Sequence, residues 1–222
     1  MKESLRIWGD SLLMGIVFDE LRNRYTILKD NCIRKLKDMV LFPVENYARM
    51  GCTAAQALEQ VENKPPAGGG LALIEFGGND CDMDWPAVAA NPKADHQSKT
   101  PPARFAVQLE SLVARTRAAG MQPMLAVPTP LHAPRYFDWV TRGLDPSAVL
   151  SYLGDVQRIY RWQELYAFAV MRIAAKLSCA VLDFRTPFLE GKHYENLLCV
   201  DGIHPNAAGH ALMLETLKAA LC

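Results

Sequence analysis

The stretch LRIWGDSLLMG, residues 5–15, contains the pattern from which the fold can be inferred. A short apolar run ends at Gly9, and Asp10 and Ser11 precede a second apolar run. This order predicts a buried strand, a tight turn and a helix with Ser11 at its N-terminus. Ser11 or Asp10 can simply cap that helix, which is the interpretation that the stretch alone favours. Alternatively, the Ser11 hydroxyl is a nucleophile beside the free N–H groups of the first helical turn.

Short apolar runs and longer segments of helical periodicity alternate along the remainder of the 222 residues. Such alternation is typical of a parallel sheet with helices on both faces, so we expect one α/β domain over residues 1–222. The predicted strands are Leu5–Trp8, Val44–Ala48, Leu71–Phe76, Pro123–Val127 and Ala180–Phe184. Helices are predicted around Phe105–Val113, over Val149–Leu177 as one long helix or two joined ones, and after Pro205.

The composition restricts the classes of partner. Lys and Arg together number 24, as do Asp and Glu, so neither nucleic acid nor an anionic membrane is an expected partner. Charged residues interrupt the apolar runs too early for a membrane span or a secretion signal, which favours a cytoplasmic protein. The cysteines lack the spacing of a zinc site and are expected to be reduced thiols: Cys32, Cys52, Cys81, Cys179, Cys199 and Cys222.

Long connections follow the predicted strands that end at residues 76 and 127. In an open α/β sheet, loops that leave the carboxyl ends of strands surround the ligand crevice, and loops of this length are usually functional or mobile. The candidate substrate-binding residues on them are Trp85, His132, Tyr136 and Trp139. An aromatic-walled pocket is one interpretation, and aromatic side chains that only fix the loops to the body are the other.

A nucleophilic serine needs a base, and His204 in VDGIHP has the most suitable surroundings of the five histidines. Pro205 marks a helix start, and Asp201 precedes His204 across a turn at Gly202, within reach of the imidazole. A capping turn, in which Asp201 only binds backbone N–H groups, is the open alternative. His210 lies farther along the predicted helix and is expected at the surface.

Two other segments contain groups that can stabilise an oxyanion. GGND, residues 77–80, follows a predicted strand, and Asn79 there offers an uncharged amide donor. Gly51 lies between a predicted strand and a helix, so its N–H can point into the same crevice. Taken alone, each segment is more often an ordinary turn.

Taken together, GDSL, the isolated Gly51, GGND and DGIHP occur in the order found in SGNH/GDSL hydrolases. The sequence resembles this family over essentially the whole chain. The resemblance implies a flavodoxin-like three-layer α/β/α sandwich with a mainly parallel, about five-stranded sheet. It also implies that Ser11 is the nucleophile and that Asp201 and His204 are its acid and base. The implied oxyanion hole consists of the Ser11 and Gly51 N–H groups and the Asn79 side chain.

The reaction that this resemblance implies is ester hydrolysis through an acyl-enzyme, which requires neither a metal nor an organic cofactor. Small acyl esters, in particular acetyl esters of carbohydrates, are the expected substrates, and longer acyl esters or thioesters are the alternative. The competing class is a binding module that holds an anion at the helix N-terminus without chemistry. The near-zero net charge does not oppose self-association, which leaves a homodimer open.

Overall fold

The computed structural model describes residues 4–66 and 68–221, so Cys222 and its predicted thiol lie outside the described residues. The strands are, in chain order, β1 Leu5–Trp8, β2 Ile16–Asp19, β3 Arg24–Ile27, β4 Val44–Asn46, β5 Leu71–Glu75, β6 Gln122–Val127 and β7 Ala180–Asp183. Among the described residues, five strands form a parallel sheet in the order β4-β1-β5-β6-β7, and β2 and β3 form a separate antiparallel hairpin.

The helices are α1 Ser11–Met14, α2 Cys32–Met39, α3 Ala54–Asn63, α4 Trp85–Ala90, α5 Pro102–Ala118, α6 Ala133–Val140, α7 Pro146–Leu153, α8 Arg158–Lys176, α9 Arg185–Glu190 and α10 Ala207–Leu221, with a 3₁₀ turn at Tyr194–Leu197. The segment predicted as one long helix or two joined ones is therefore two helices, α7 and α8. Among the described helices, none is both long and apolar enough to cross a membrane.

The sheet separates two apolar layers, which confirms the predicted α/β/α arrangement. Side chains alternate along each strand: Leu73 of β5 packs with α1, α2, α9 and α10, whereas Ala72 and Ile74 pack with α3, α5 and α8. All five predicted sheet strands are present, and their bounds differ from the predicted ones by at most two residues. A sheet buried on both faces explains why each strand is a short, almost continuous apolar run.

The connections predicted as long loops are partly helical, which corrects the sequence-based interpretation. They contain α4 and α6, which begin at capping side chains: Asp84 accepts the Ala87 N–H, and His132 Nδ1 accepts the Arg135 N–H. With α7, these helices form a third apolar cluster around residues such as Trp85. The apolar residues of these connections therefore pack against one another, which stabilises short helices that have little stability in isolation.

The β2–β3 hairpin was not predicted. Helix α1 is a single turn that ends at Gly15, and the chain then enters β2, where Ile16 lies opposite Ile27 of β3. The hairpin directly follows the GDSL segment in sequence, and one of its side chains, Tyr25, reaches the residues around His204.

The expected surface position of His210 is wrong, because its side chain is 1% exposed. Met213, Leu214 and Leu217 lie three, four and seven residues farther along α10, on the same helical face, and that face packs against α2. His210 Nδ1 lies 3.4 Å from Cys32 Sγ in this interface. Helical periodicity therefore places His210 in the core despite its polar ring.

Candidate active site

Ser11 is the first residue of α1, directly beyond the carboxyl end of β1. The cap of this helix is Asp10, whose Oδ1 accepts the N–H of Leu12 at 2.9 Å. Because Asp10 performs the capping, the Ser11 hydroxyl is left for another partner. That partner is His204, whose Nε2 lies 2.9 Å from Ser11 Oγ.

His204 and Asp201 meet as the DGIHP spacing predicts. Asp201 Oδ2 lies 2.6 Å from His204 Nδ1, while its Oδ1 accepts the backbone N–H groups of Ile203 at 3.1 Å and His204 at 3.2 Å. The two alternatives left open for Asp201 are therefore both realised, one on each carboxylate oxygen. Gly202 makes the turn possible, since its φ is +77° and an added Cβ would lie 2.8 Å from the His132 carbonyl oxygen.

The electrostatic state of Asp201 suits an acid that orients a histidine. Its side chain is fully buried, and burial alone would raise its pKa. The hydrogen bond and charge of His204, followed by the backbone N–H donors, outweigh burial and lower the pKa of Asp201 below its ordinary value. Asp201 therefore remains an ionised acceptor at neutral pH.

The three predicted oxyanion donors line one cavity next to the Ser11 hydroxyl. Within the described residues, the N–H groups of Ser11 and Gly51 form no hydrogen bond. Asn79 donates through Nδ2 to Asp10 Oδ2 at 2.9 Å, and the second hydrogen of this amide group remains available. Three N–H donors are thus brought together beside one hydroxyl.

The cavity has a volume of about 310 Å³ and a mainly apolar wall. Three of the four candidate substrate-binding residues, Trp85, Tyr136 and Trp139, line it. His132 does not belong to the described lining, and its Nδ1 accepts the Arg135 N–H at the start of α6. The apolar lining side chains that sequence reasoning did not identify include Leu12, Met50, Met83, Leu131, Val140, Leu153, Ile159, Trp162 and Ile203.

The model of the GDSL-like Lipase/Acylhydrolase family matches residues 7–212. The chain belongs to this family. It is accordingly a hydrolase of the GDSL esterase type. No curated protein sequence matches the chain.

Several solved structures share the fold of this GDSL hydrolase. A lipase/acylhydrolase from Enterococcus faecalis is 19% identical with a TM-score of 0.64, and the match covers 100% of this chain and 98% of the other. An acetylxylan esterase from Geobacillus stearothermophilus is 19% identical with a TM-score of 0.65, over 99% and 94% of the two chains. An α/β hydrolase from the metagenome of Lake Arreo, Spain, is 20% identical with a TM-score of 0.67, over 98% and 94%. At these identities, the similarity shows a common fold.

Behind its GDSL segment, the hydrolase contains buried carboxyl groups that sequence reasoning missed. Glu75, at the end of β5, is fully buried, and its Oε2 lies 3.4 Å from the Asp10 backbone N. Burial and the charge of Asp10 raise the pKa of Glu75 well above its ordinary value. Asp80 accepts the Ala54 N–H at the start of α3, and burial raises its pKa to about 6. The acidic residue inside the apolar run LALIEF was the available sequence signal for Glu75.

A metal centre is not indicated in this GDSL hydrolase. Within residues 4–66 and 68–221, no three His, Cys, Asp or Glu side chains are arranged to hold a metal ion.

Proposed function

We propose that the chain hydrolyses carboxylic esters through a Ser11 nucleophile, a His204 base and an Asp201 acid. The observation that carries this proposal is the continuous series of contacts from Ser11 Oγ to His204 Nε2, at 2.9 Å, and from His204 Nδ1 to Asp201, at 2.6 Å. His204 takes the serine proton while Oγ attacks the ester carbonyl, and it then protonates the departing alcohol. Water attacks the acyl-enzyme with His204 again as the base, which releases the acid and restores Ser11.

The oxyanion of each tetrahedral intermediate is stabilised by the Ser11 and Gly51 N–H groups and the Asn79 amide. The free state of both backbone donors supports this role, because an N–H group without a protein partner is available to a developing negative charge. The dipole of α1 adds little, since this helix is only one turn long. The three donors themselves therefore supply most of the stabilisation.

A binding module that only holds an anion at the α1 N-terminus accounts for fewer of these contacts. Such a module has no use for an imidazole bonded to the serine hydroxyl or for a buried carboxylate behind that imidazole. The ester hydrolase uses all of them. We therefore place the catalytic function ahead of simple anion binding.

The cavity supports an apolar acyl chain of intermediate length as the first substrate candidate. An acetyl group would fill a small part of about 310 Å³. The wall also offers few free polar groups for sugar hydroxyls: Asp82 Oδ1, for example, already accepts Trp85 Nε1 at 2.8 Å and the Tyr136 hydroxyl at 2.6 Å. Acetyl esters of carbohydrates, expected from the sequence, are the second candidate and are supported by the fold shared with an acetylxylan esterase.

The proposal is tested by labelling with a fluorophosphonate probe, followed by peptide mapping. Wild type is compared with Ser11→Ala and His204→Ala, and Ser147→Ala at an exposed helix start is the matched control. We expect labelling at Ser11 in wild type and in the control, and loss of labelling in the other two variants. A folded wild-type protein that is not labelled and turns over no ester would favour the anion-binding module.

The substrate candidates are separated by the hydrolysis of nitrophenyl acetate, nitrophenyl octanoate and acetylated xylo-oligosaccharides. If the cavity holds the acyl chain, kcat/KM for the octanoate exceeds that for the acetate by about tenfold or more, because each buried methylene contributes about 0.8 kcal/mol. A preference for acetate together with turnover of the acetylated sugars would support the carbohydrate candidate instead.

A further inference from the structure

Tyr25 of the β2–β3 hairpin contacts the acid of the proposed triad. Its hydroxyl donates to Asp201 Oδ2 at 3.1 Å, and this is the same oxygen that lies 2.6 Å from His204 Nδ1. The reaction described above makes no use of this tyrosine. Tyr25 therefore lies beside the proposed base and acid in a position that the hydrolysis mechanism leaves unexplained.

The ring of Tyr25 is held in place from several sides. It packs against the His204 imidazole with 5.1 Å between ring centroids. Phe18 of β2 and Trp139 of α6 meet it edge-on, at 5.2 and 6.0 Å. Edge-to-face aromatic contacts of this kind stabilise one ring orientation. The ring is therefore already fixed by its neighbours in the orientation that directs the hydroxyl at Asp201.

The hydroxyl also keeps its proton. Burial, followed by the negative charge of Asp201 and the hydrogen bond to it, raises the pKa of Tyr25 far above its ordinary value. Since the pKa of Asp201 is lowered, the contact joins a neutral donor to an ionised acceptor over the whole neutral range. Hydrogen bonds of this type are stronger than those between two neutral groups.

We propose that Tyr25 is a positioning residue that shares Asp201 Oδ2 with His204 and thereby sets the orientation and basicity of the catalytic base. The inference rests on the proposed function, because it assigns His204 the role of base. The Tyr25 ring lines the cavity and packs against the imidazole, whereas its hydroxyl donates to Asp201. The effect of the hydroxyl on the base passes through Asp201.

The direction of the effect follows from the shared oxygen. The carboxylate of Asp201 distributes its charge among the Tyr25 hydroxyl, the imidazole and two backbone N–H groups. Loss of the hydroxyl leaves more negative charge facing the imidazole, which stabilises its protonated form. The imidazole then stays protonated, and cannot act as a base, up to a higher pH. The acid limb of the kcat/KM profile therefore shifts to higher pH.

The other ionisable groups near this contact are unchanged by a substitution at Tyr25. Asp10 faces His204 from the α1 segment, and His210 faces it from α10. The Cys199 thiol lies beside Tyr25 and Asp201, and burial raises its pKa to about 11. All three remain in place in the variant, so a shift of the profile would report on the Tyr25 hydroxyl.

The test compares Tyr25→Phe with Tyr47→Phe. The control is closely matched, because the Tyr47 hydroxyl also donates to a carboxylate, Glu45 Oε2, at 3.1 Å, and its ring also stacks on a neighbour. The dependence of kcat/KM on pH is measured with a nitrophenyl ester between about pH 5 and 9, the range in which histidine side chains ordinarily titrate. In parallel, NMR follows the titration of the His204 ring, assigned by its absence in His204→Gln.

In Tyr25→Phe we expect both the acid limb and the His204 titration midpoint to move up by about half to one pH unit, given the usual strength of a hydrogen bond to a charged group. Tyr47→Phe should match wild type. Superimposable profiles and midpoints for all three folded proteins would overturn the inference. If wild type hydrolyses no ester, the proposed function fails separately, and the NMR midpoints still decide whether Tyr25 acts on His204.

Discussion

Replacement of Asn79 by alanine tests the proposed oxyanion site most directly. The Asn79 amide donates one hydrogen to Asp10 Oδ2 at 2.9 Å and has its second hydrogen free beside Ser11. Removal of a single oxyanion donor costs about 3 kcal/mol of transition-state stabilisation, which corresponds to a decrease in kcat of roughly 150-fold. The KM for a nitrophenyl ester should change little, because the donor acts on charge that develops only in the transition state.

Asn79→Ala also removes a hydrogen bond from the buried Asp10, so a decrease in stability of about 1.5–3 kcal/mol is expected. Kinetics are therefore measured well below the melting temperature of the variant, with Asn91→Ala as a control at an exposed helix end. The stability loss is followed by urea unfolding. A kcat within fivefold of wild type (about 1 kcal/mol), or an effect confined to KM, would refute the assignment of Asn79 as a donor to the oxyanion.

Further predictions concern stability, the turn and the cavity. The pKa of Glu75 is raised, so the folded state holds a proton that the unfolded chain loses near about pH 4, and wild type loses stability as the pH rises above that value. The melting temperature of Glu75→Gln relative to wild type should therefore rise between about pH 4 and 8. A difference that stays constant with pH would contradict this prediction. Gly202→Ala should destabilise the fold by about 2 kcal/mol or more, because its φ of +77° and the 2.8 Å approach to the Tyr136 N both oppose a Cβ; unchanged urea unfolding would contradict it. Trp139→Ala should decrease kcat/KM for an octanoyl ester more than for an acetyl ester, by a ratio of about tenfold, and equal decreases would argue against an acyl chain at this wall.

The fold was largely predictable because its sheet strands are buried on both faces. A strand such as β5 must be apolar on both sides, and this requirement leaves a short, recognisable run in the sequence. The two-stranded hairpin leaves no comparable run, because its strands are only partly buried. Helices α4 and α6 were not predicted for a related reason. They are short, and their stability comes from packing within one apolar cluster and not from a long periodic pattern.

In the candidate site, too, contacts between residues close in sequence were predictable, and contacts between distant segments were not. Asp201 and His204 are three residues apart, so the geometry of one turn brings them together, and the sequence could predict the contact. Ser11 lies 193 residues from His204, and their order along the chain pointed to a common site only through the family resemblance. Tyr25 was not foreseen, because its contact with Asp201 spans 176 residues and depends on how the hairpin folds against the sheet.

By itself, the sequence determined the succession of strands along an α/β chain, the segments GDSL, GGND and DGIHP, and the residue types that an ester hydrolase needs. Only the tertiary structure decided that Asp10 caps α1 and leaves the Ser11 hydroxyl to His204, and that Asp201 serves both the turn and the imidazole. It also placed His210 in the core. The physical reason is that periodicity and turn chemistry act over a few residues, whereas the partner of a buried polar group is chosen by packing between distant segments.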